Sequence, residues 1–212
     1  MSSIVVAGDT SGSVTLQAPA VAGSTVLTLP VATDTLVGKA TTDVLTNKTL
    51  GSGLVAGASL LTSGTAVAST SGTSIDFTGI PSWVKRITVM FNGVTLSASG
   101  ILVQIGSGSV TTSGYASYSV LSNSGGTANA SSTAGFVSYS YFAGATSGSF
   151  QLALLSANTW VCNGTLGALT SSSILTTGGN SPALSGALDR VRITTISGSA
   201  TFTAGSINIL YE

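Results

Sequence analysis

Apolar and polar residues alternate with a period of two along many short stretches of the chain. In residues 84–93, VKRITVMFNG, the apolar Ile87, Val89 and Phe91 fall on one side of an extended backbone. Because successive side chains of a strand point to opposite faces, this spacing predicts a half-buried β-strand. The same alternation recurs in residues 73–77, 101–106, 135–142, 149–155, 158–164, 189–198, 200–205 and 206–212.

Gly, Ser or Asn separate these stretches, and none has the length, caps and 3.6-residue spacing of a helix. About eight short strands within residues 71–212 predict an all-β domain, an antiparallel β-sandwich of jelly-roll type.

The first 50 residues follow a different pattern. VTLQAP (14–19) and TVLTLP (25–30) each place apolar residues two apart and stop at a proline. Val14 with Leu16, and Leu27 with Leu29, would each form one face of a strand that is too short to bury itself. Identical chains interlocking around a threefold axis would supply the missing surface, so the pattern predicts a homotrimer.

Three regions follow from these patterns. Residues 1–50 are the predicted trimerisation segment and residues 71–212 the predicted sandwich. Residues 51–70, GSGLVAGASLLTSGTAVAST, are small and flexible in composition, which predicts a connector.

Charge is nearly absent. Charged residues make up 6% of the chain, where about 25% is usual, and residues 87–188 contain no Asp, Glu, Lys or Arg. The chain also has no His. Most of the predicted sandwich therefore has no ordinary titrating group for acid–base catalysis, and a Ser–His–Asp site is excluded. We expect no enzyme, no metal site and no cofactor, and we expect partner subunits to cover part of the uncharged surface.

The few charges have simple interpretations. Asp76 and Asp189 are expected to hold strand-end turns or to pair with a basic residue, namely Lys85, Arg86, Arg190 or Arg192. A catalytic carboxylate pair is the less favoured alternative. Two small basic clusters do not make a nucleic-acid surface.

Three further features bear on localisation and chemistry. The N-terminus lacks the basic flank and apolar run of a signal peptide, and no run is long enough for a membrane helix. The single Cys162 cannot form an internal disulfide and is expected to be a small buried apolar residue.

Aromatic residues are the candidates for a binding surface. They could be core residues, or they could form a neutral contact surface with the surrounding Ser, Gly and Asn. The candidates are Tyr115, Tyr118, Tyr139, Tyr141 and Trp160. The intervening SNSGGTANASST (122–133) is weakly patterned and is expected to be a long loop that is functional or mobile.

The N-terminal motifs resemble those of a known group of proteins. VTLQAP, TVLTLP and VLTNKTL (44–50) occur in the order and spacing of the N-terminal segment common in bacteriophage tail fibres and related virion proteins. The resemblance covers roughly residues 12–50. Val44 replaces the usual Thr of the last motif. The resemblance implies that Val44, Leu45 and Leu50 pack between subunits.

A second resemblance covers residues 69–94, STSGTSIDFTGIPSWVKRITVMFNGV, which is similar to strings in phage structural proteins of unknown role. Together the two imply a trimeric tail fibre on the virion. Its N-terminus would attach to other virion proteins, and its C-terminal domain would touch host polysaccharide or an outer-surface protein. A head fibre or capsid decoration protein with a purely structural role is the alternative, and a depolymerase is a third, less favoured one.

Overall fold

The structure is a computed structural model that describes residues 3–7, 9–17, 21, 24, 61–139, 144–168 and 172–212. Every regular element in these ranges is a β-strand, and the strands pair antiparallel, which confirms the all-β prediction. The chain divides into two units, residues 1–54 and 55–212. No helix among the described residues is long and apolar enough to span a membrane.

The first unit contains a two-stranded hairpin. Strand β1 (Ser3–Ala7) pairs with β2 (Ser13–Gln17), which includes the predicted strand at Val14 and Leu16. The predicted subunit contacts Leu27, Leu29, Val44, Leu45 and Leu50 lie outside the described residues.

The second unit contains two antiparallel sheets. The nine strands of the larger sheet are β3 (Thr62–Ser63), β4 (Val67–Ala68), β6 (Arg86–Leu96), β9 (Ala116–Asn123), β10 (Gly126–Ser132), β12 (Thr146–Ser156), β13 (Thr159–Ala168), β14 (Ser173–Asn180) and β16 (Phe202–Tyr211). The five strands of the smaller sheet are β5 (Ser74–Thr78), β7 (Ile101–Ser107), β8 (Ser109–Val110), β11 (Phe136–Val137) and β15 (Arg190–Thr195).

One apolar core draws residues from both sheets, so the second unit is sandwich-like. The strands of the larger sheet are hydrogen-bonded in the order β10-β9-β14-β13-β12-β6-β16-β3, and β4 also pairs with β16. Those of the smaller sheet follow the order β11-β7-β15-β5, and β8 pairs with β7. Ile87, Val89 and Phe91 are buried, as their spacing predicts, while Arg86 and Thr88 lie on the other face of β6. The jelly-roll topology and the trimer stay predictions.

Two parts of the sequence fold differently from our expectation. Residues 122–133, expected to be a loop, complete a hairpin in which β9 pairs with β10 across a turn at Ser124 and Gly125. Residues 135–142, expected to be a strand, contribute only the two residues of β11 among those described.

The loop prediction failed because β10, the edge strand of the larger sheet, has no fully buried residue, so no apolar alternation marks it. Its partner β9 is also hard to recognise, because Ser takes positions that apolar residues usually occupy. Ser117, Ser119 and Leu121 share the buried face of β9, so the period of two is present but is hidden by polar residues. Ser117 is accommodated because its Oγ accepts a hydrogen bond of 2.9 Å from the backbone N–H of Val137.

The end of the predicted connector also has regular structure. Within residues 61–70, β3 and β4 both pair with β16 at the edge of the larger sheet. Ser69 is fully buried there, and its Oγ donates to the carbonyl of Ala204 at 2.9 Å. This part of the connector therefore belongs to the fold of the second unit.

Candidate functional site: the outer face of the larger sheet

The candidate aromatic residues occupy different environments. Tyr115 and Trp160 are each only 2% exposed, so both belong to the core and are removed from the proposed contact surface. Tyr139 is half-buried and packs against the core. Tyr118 is 58% exposed, and Tyr141 lies outside the described residues. Tyr118 is therefore the member of the set that the structure places at a surface.

Tyr115 has a structural role. Its hydroxyl accepts a hydrogen bond from the backbone N–H of Ile105 at 2.9 Å and lies 3.1 Å from the carbonyl oxygen of Thr111. Its ring meets that of Phe136 edge-on, with 5.1 Å between centroids. Burial raises the pKa of Tyr115 to about 12, and this increase outweighs the lowering of the pKa by the hydrogen bond with the Ile105 backbone.

We expect Tyr115→Phe to destabilise the fold by about 2 kcal/mol at neutral pH, because the buried N–H of Ile105 loses its partner. The pKa of Tyr115 is higher in the folded protein than in the unfolded protein. The neutral phenol therefore contributes its full stabilisation below pH ~10. It is lost as the pH rises from there to about 12. Guanidinium unfolding at pH 7, 10 and 11 tests both effects, and the variant should lose less stability with pH than the wild type. Equal losses in the two proteins would contradict the assignment.

Cys162 is buried among apolar residues in β13, which confirms its predicted role. Burial raises the pKa of its thiol to about 12. We expect no reaction of the native protein with a thiol reagent at pH 8, and one equivalent after unfolding in guanidinium. The single cysteine makes the count unambiguous, and rapid labelling of the native protein would contradict its burial.

Asp76 and Asp189 both pair with arginines, as expected. Arg192 makes two hydrogen bonds to Asp76, of 2.7 and 2.9 Å, across β15 and β5. Asp189 pairs with Arg190, whose hydrogen bond holds the pKa of Asp189 below its usual value. In the described part of the chain, no group of three or more His, Cys, Asp or Glu is placed to hold a metal ion.

The outer face of the larger sheet, which points away from the core, is uncharged across five neighbouring strands. Strands β9, β10, β12, β13 and β14 all lie within residues 87–188, which contain no charged residue. The strand registers align a row of outward positions across the face. In order across the strands, this row consists of Ser131, Tyr118, Gly178, Asn163 and Gln151.

The first depression on this face is the Tyr118 groove. It has a volume of about 780 Å³, within the usual range for ligand pockets, and is open to solvent. Its lining residues are Ala116, Tyr118, Ser131, Ser132, Thr133, Gly178 and Gly179, together with the almost fully buried Tyr115 and Ser117 at its floor-side boundary with the core. Gly178 lies directly across from Tyr118 in the register, so no cross-strand side chain stands opposite the phenol on the β14 side.

The second depression is the Ile174 groove, of about 820 Å³. Its lining residues are Ser122, Asn123, Ala145, Ser147, Gly167, Ala168, Ser172, Ser173 and Ile174. Ile174 is 53% exposed, and Gly167 lies across from it on β13. Each groove therefore has an exposed large side chain beside a glycine.

Gly178 and Gly167 differ from the other described glycines in whether the fold accommodates an added Cβ. Each of the others has a positive φ or would bring a Cβ within 3.3 Å of another atom. A Cβ on Gly178 would come no closer than 3.7 Å to any atom, and one on Gly167 would meet nothing within 4 Å. Neither φ lies in the left-handed region. The fold admits a side chain at both positions.

Sequence reasoning identified Tyr118 but missed these glycines and the neighbouring Asn163 and Ile174. The available signal was a glycine at an outward position of an alternating pattern, as in WVCNGTLGA (160–168). That signal locates a groove only when the neighbouring strands are known. The face can provide ring contacts and neutral hydrogen-bonding groups.

Comparison of the chain with protein-family models, with curated protein sequences and with solved structures gives no match in any of the three. The function must therefore be argued from the residues of this chain.

Proposed function

We propose that the chain is a non-enzymatic structural protein of a bacteriophage particle, a homotrimeric tail fibre. Its N-terminal segment attaches to other virion proteins, and its C-terminal domain, a jelly-roll-like sandwich, contacts the host surface. The resemblance of residues 12–50 to tail-fibre segments supports the first part. The uncharged outer face with its two grooves supports the second part.

The observation that carries the proposal is the apolar N-terminal hairpin. Ile4, Val5 and Val6 are 65%, 60% and 57% exposed, although they follow one another on β1 and point to alternating faces. An isolated two-stranded hairpin is at best marginally stable in water. A ribbon with exposed apolar side chains on both faces is suited to burial between chains.

Association through the hairpin is tested by light scattering. We expect three chains per particle for the wild type and a shift to one chain for the double variant Ile4→Asp with Val6→Asp. Thr10→Asp, at an exposed position of the same hairpin, is the control and should keep three chains. A monomeric wild type, or a trimeric double variant, would contradict the role of the hairpin.

The position on the particle is tested by electron microscopy of virions with a gold label at Glu212. Label at the tail tip or along the tail is the expected result. Label on the head would favour the head fibre or capsid decoration protein, which the same trimeric architecture would serve. Particles that carry no label would contradict both.

A further inference from the structure

We propose that the outer face of the larger sheet binds an uncharged polysaccharide, which lies across the Tyr118 and Ile174 grooves. The inference rests on the proposed function, because it assigns a place and a ligand class to the host contact. Four observations carry it: the two glycines, the exposed phenol, the neutral polar row and the absence of charge.

The glycines are the first observation. A glycine inside a strand weakens it, and it often marks a place where a ligand or another backbone comes close. At Gly178 and Gly167 neither the backbone conformation nor the packing of the fold calls for glycine. Both lie on the same face, each in one of the two grooves. The missing side chains leave room for a ligand to approach the sheet.

Tyr118 forms one side of the first groove. Its side chain is 58% exposed, with Ser131 on one side and Gly178 on the other in the cross-strand register. A pyranose ring presents a face of C–H bonds that packs against an aromatic ring. A tyrosine provides this contact at low entropic cost, since only two side-chain torsions must be fixed.

The polar row continues away from the groove. Asn163 lies across from Gly178, and Gln151 lies across from Asn163. Within the described part of the chain neither side chain makes a hydrogen bond, so both amides are available to a ligand. An amide offers two donors and an acceptor, which matches sugar hydroxyls that both donate and accept.

The absence of charge selects the ligand class. Phosphate, sulfate and carboxylate groups are held by Arg or Lys, and residues 87–188 contain neither. An acidic glycan or a nucleic acid would thus meet no cation on these strands. A neutral sugar loses no charge hydration on binding, so hydroxyl and amide partners are sufficient.

The distance between the grooves favours a polymer. Gly178 lies across from Asn163, and Gly167 lies four residues further along the same β13. At 3.4 Å per residue and 4.8 Å between strands, the two glycines are about 14 Å apart. A ligand that fills both grooves must therefore be an oligomer of several units.

The test uses the full-length protein on an array of uncharged and acidic oligosaccharides. We expect retention by uncharged glycans. Filling either groove with Gly178→Val or Gly167→Val, or removing the phenol with Tyr118→Ala, should weaken binding at least about tenfold. Thr78→Val, at an exposed position of the smaller sheet, is the matched control and should bind like the wild type. Unchanged melting temperatures would show that the variants are folded.

Several results would overturn the inference: retention by acidic glycans alone, no retention by any glycan, or full binding by all three groove variants. A changed number of chains in Tyr118→Ala would instead make the face a subunit contact.

Binding of the labelled protein to host cells separates this inference from the proposed function. If the wild type does not bind host cells, the host-contact half of the proposed function fails. If the wild type and Gly178→Val bind cells equally, the groove assignment fails while the proposed function stands. Loss of cell binding in Gly178→Val, but not in Thr78→Val, would support both.

Discussion

Phe150→Ala should destabilise the second unit by about 3–5 kcal/mol, because it removes a large fully buried side chain and leaves a cavity. Phe150 is 0% exposed, and its ring meets that of Phe91 edge-on, with 5.5 Å between centroids. The loss is comparable to the whole stability of many domains, about 5–15 kcal/mol. Guanidinium unfolding followed by circular dichroism, at one fixed protein concentration, measures it.

Leu155→Ala is the matched control for this prediction. Leu155 lies on the same strand, β12, but is 66% exposed, so its removal should change the free energy of unfolding by no more than about 0.5 kcal/mol. Equal losses in the two variants would mean that β12 does not bury Phe150 as described.

The alternation of side chains predicted the strands that bury aliphatic residues. β6 shows this most clearly, because its buried Ile87, Val89 and Phe91 are all large and apolar. Its polar and apolar faces could therefore be assigned from the chain alone.

The same reasoning failed where Ser and Thr replace apolar residues in the interior. β14 was not predicted, although Leu175 and Thr177 both point into the core. Thr177 is tolerated there because its Oγ1 donates a hydrogen bond of 2.7 Å to the carbonyl of Val137. A hydroxyl with a partner costs little to bury, but the partner comes from a distant part of the chain and is invisible to a local pattern.

The candidate site shows a similar limit. The sequence indicated a neutral surface and named Tyr118, since composition and residue type are local properties. It could not place Gly178 beside Tyr118, because their pairing spans 60 residues and depends on the register of β9 and β14. The sequence interpretation also grouped Tyr118 with Tyr115, which faces the core, although a spacing of three residues places two side chains on opposite faces of an extended chain.

Gly164→Ala should destabilise the protein by about 3 kcal/mol, because an inward Cβ on β13 has no room. That Cβ would lie 2.4 Å from Cδ1 of Phe150 and 2.7 Å from the carbonyl oxygen of Ser149. The contact with Ser149 is to the backbone and cannot be relieved by a rotamer change, so β12 must shift. Guanidinium unfolding gives the loss in free energy.

Gly167→Ala is a control on the same strand, since its Cβ would meet nothing within 4 Å. We expect it to be neutral or slightly stabilising, because alanine loses less backbone freedom on folding than glycine.

The double variant Gly164→Ala with Phe150→Leu should lose less free energy of unfolding than the sum of the two single variants. The smaller side chain at position 150 removes the clash with the ring, while the clash with the Ser149 backbone remains. A strictly additive double variant, or a Gly164→Ala protein as stable as Gly167→Ala, would show that Gly164 and Phe150 are not packed against each other as the structure places them.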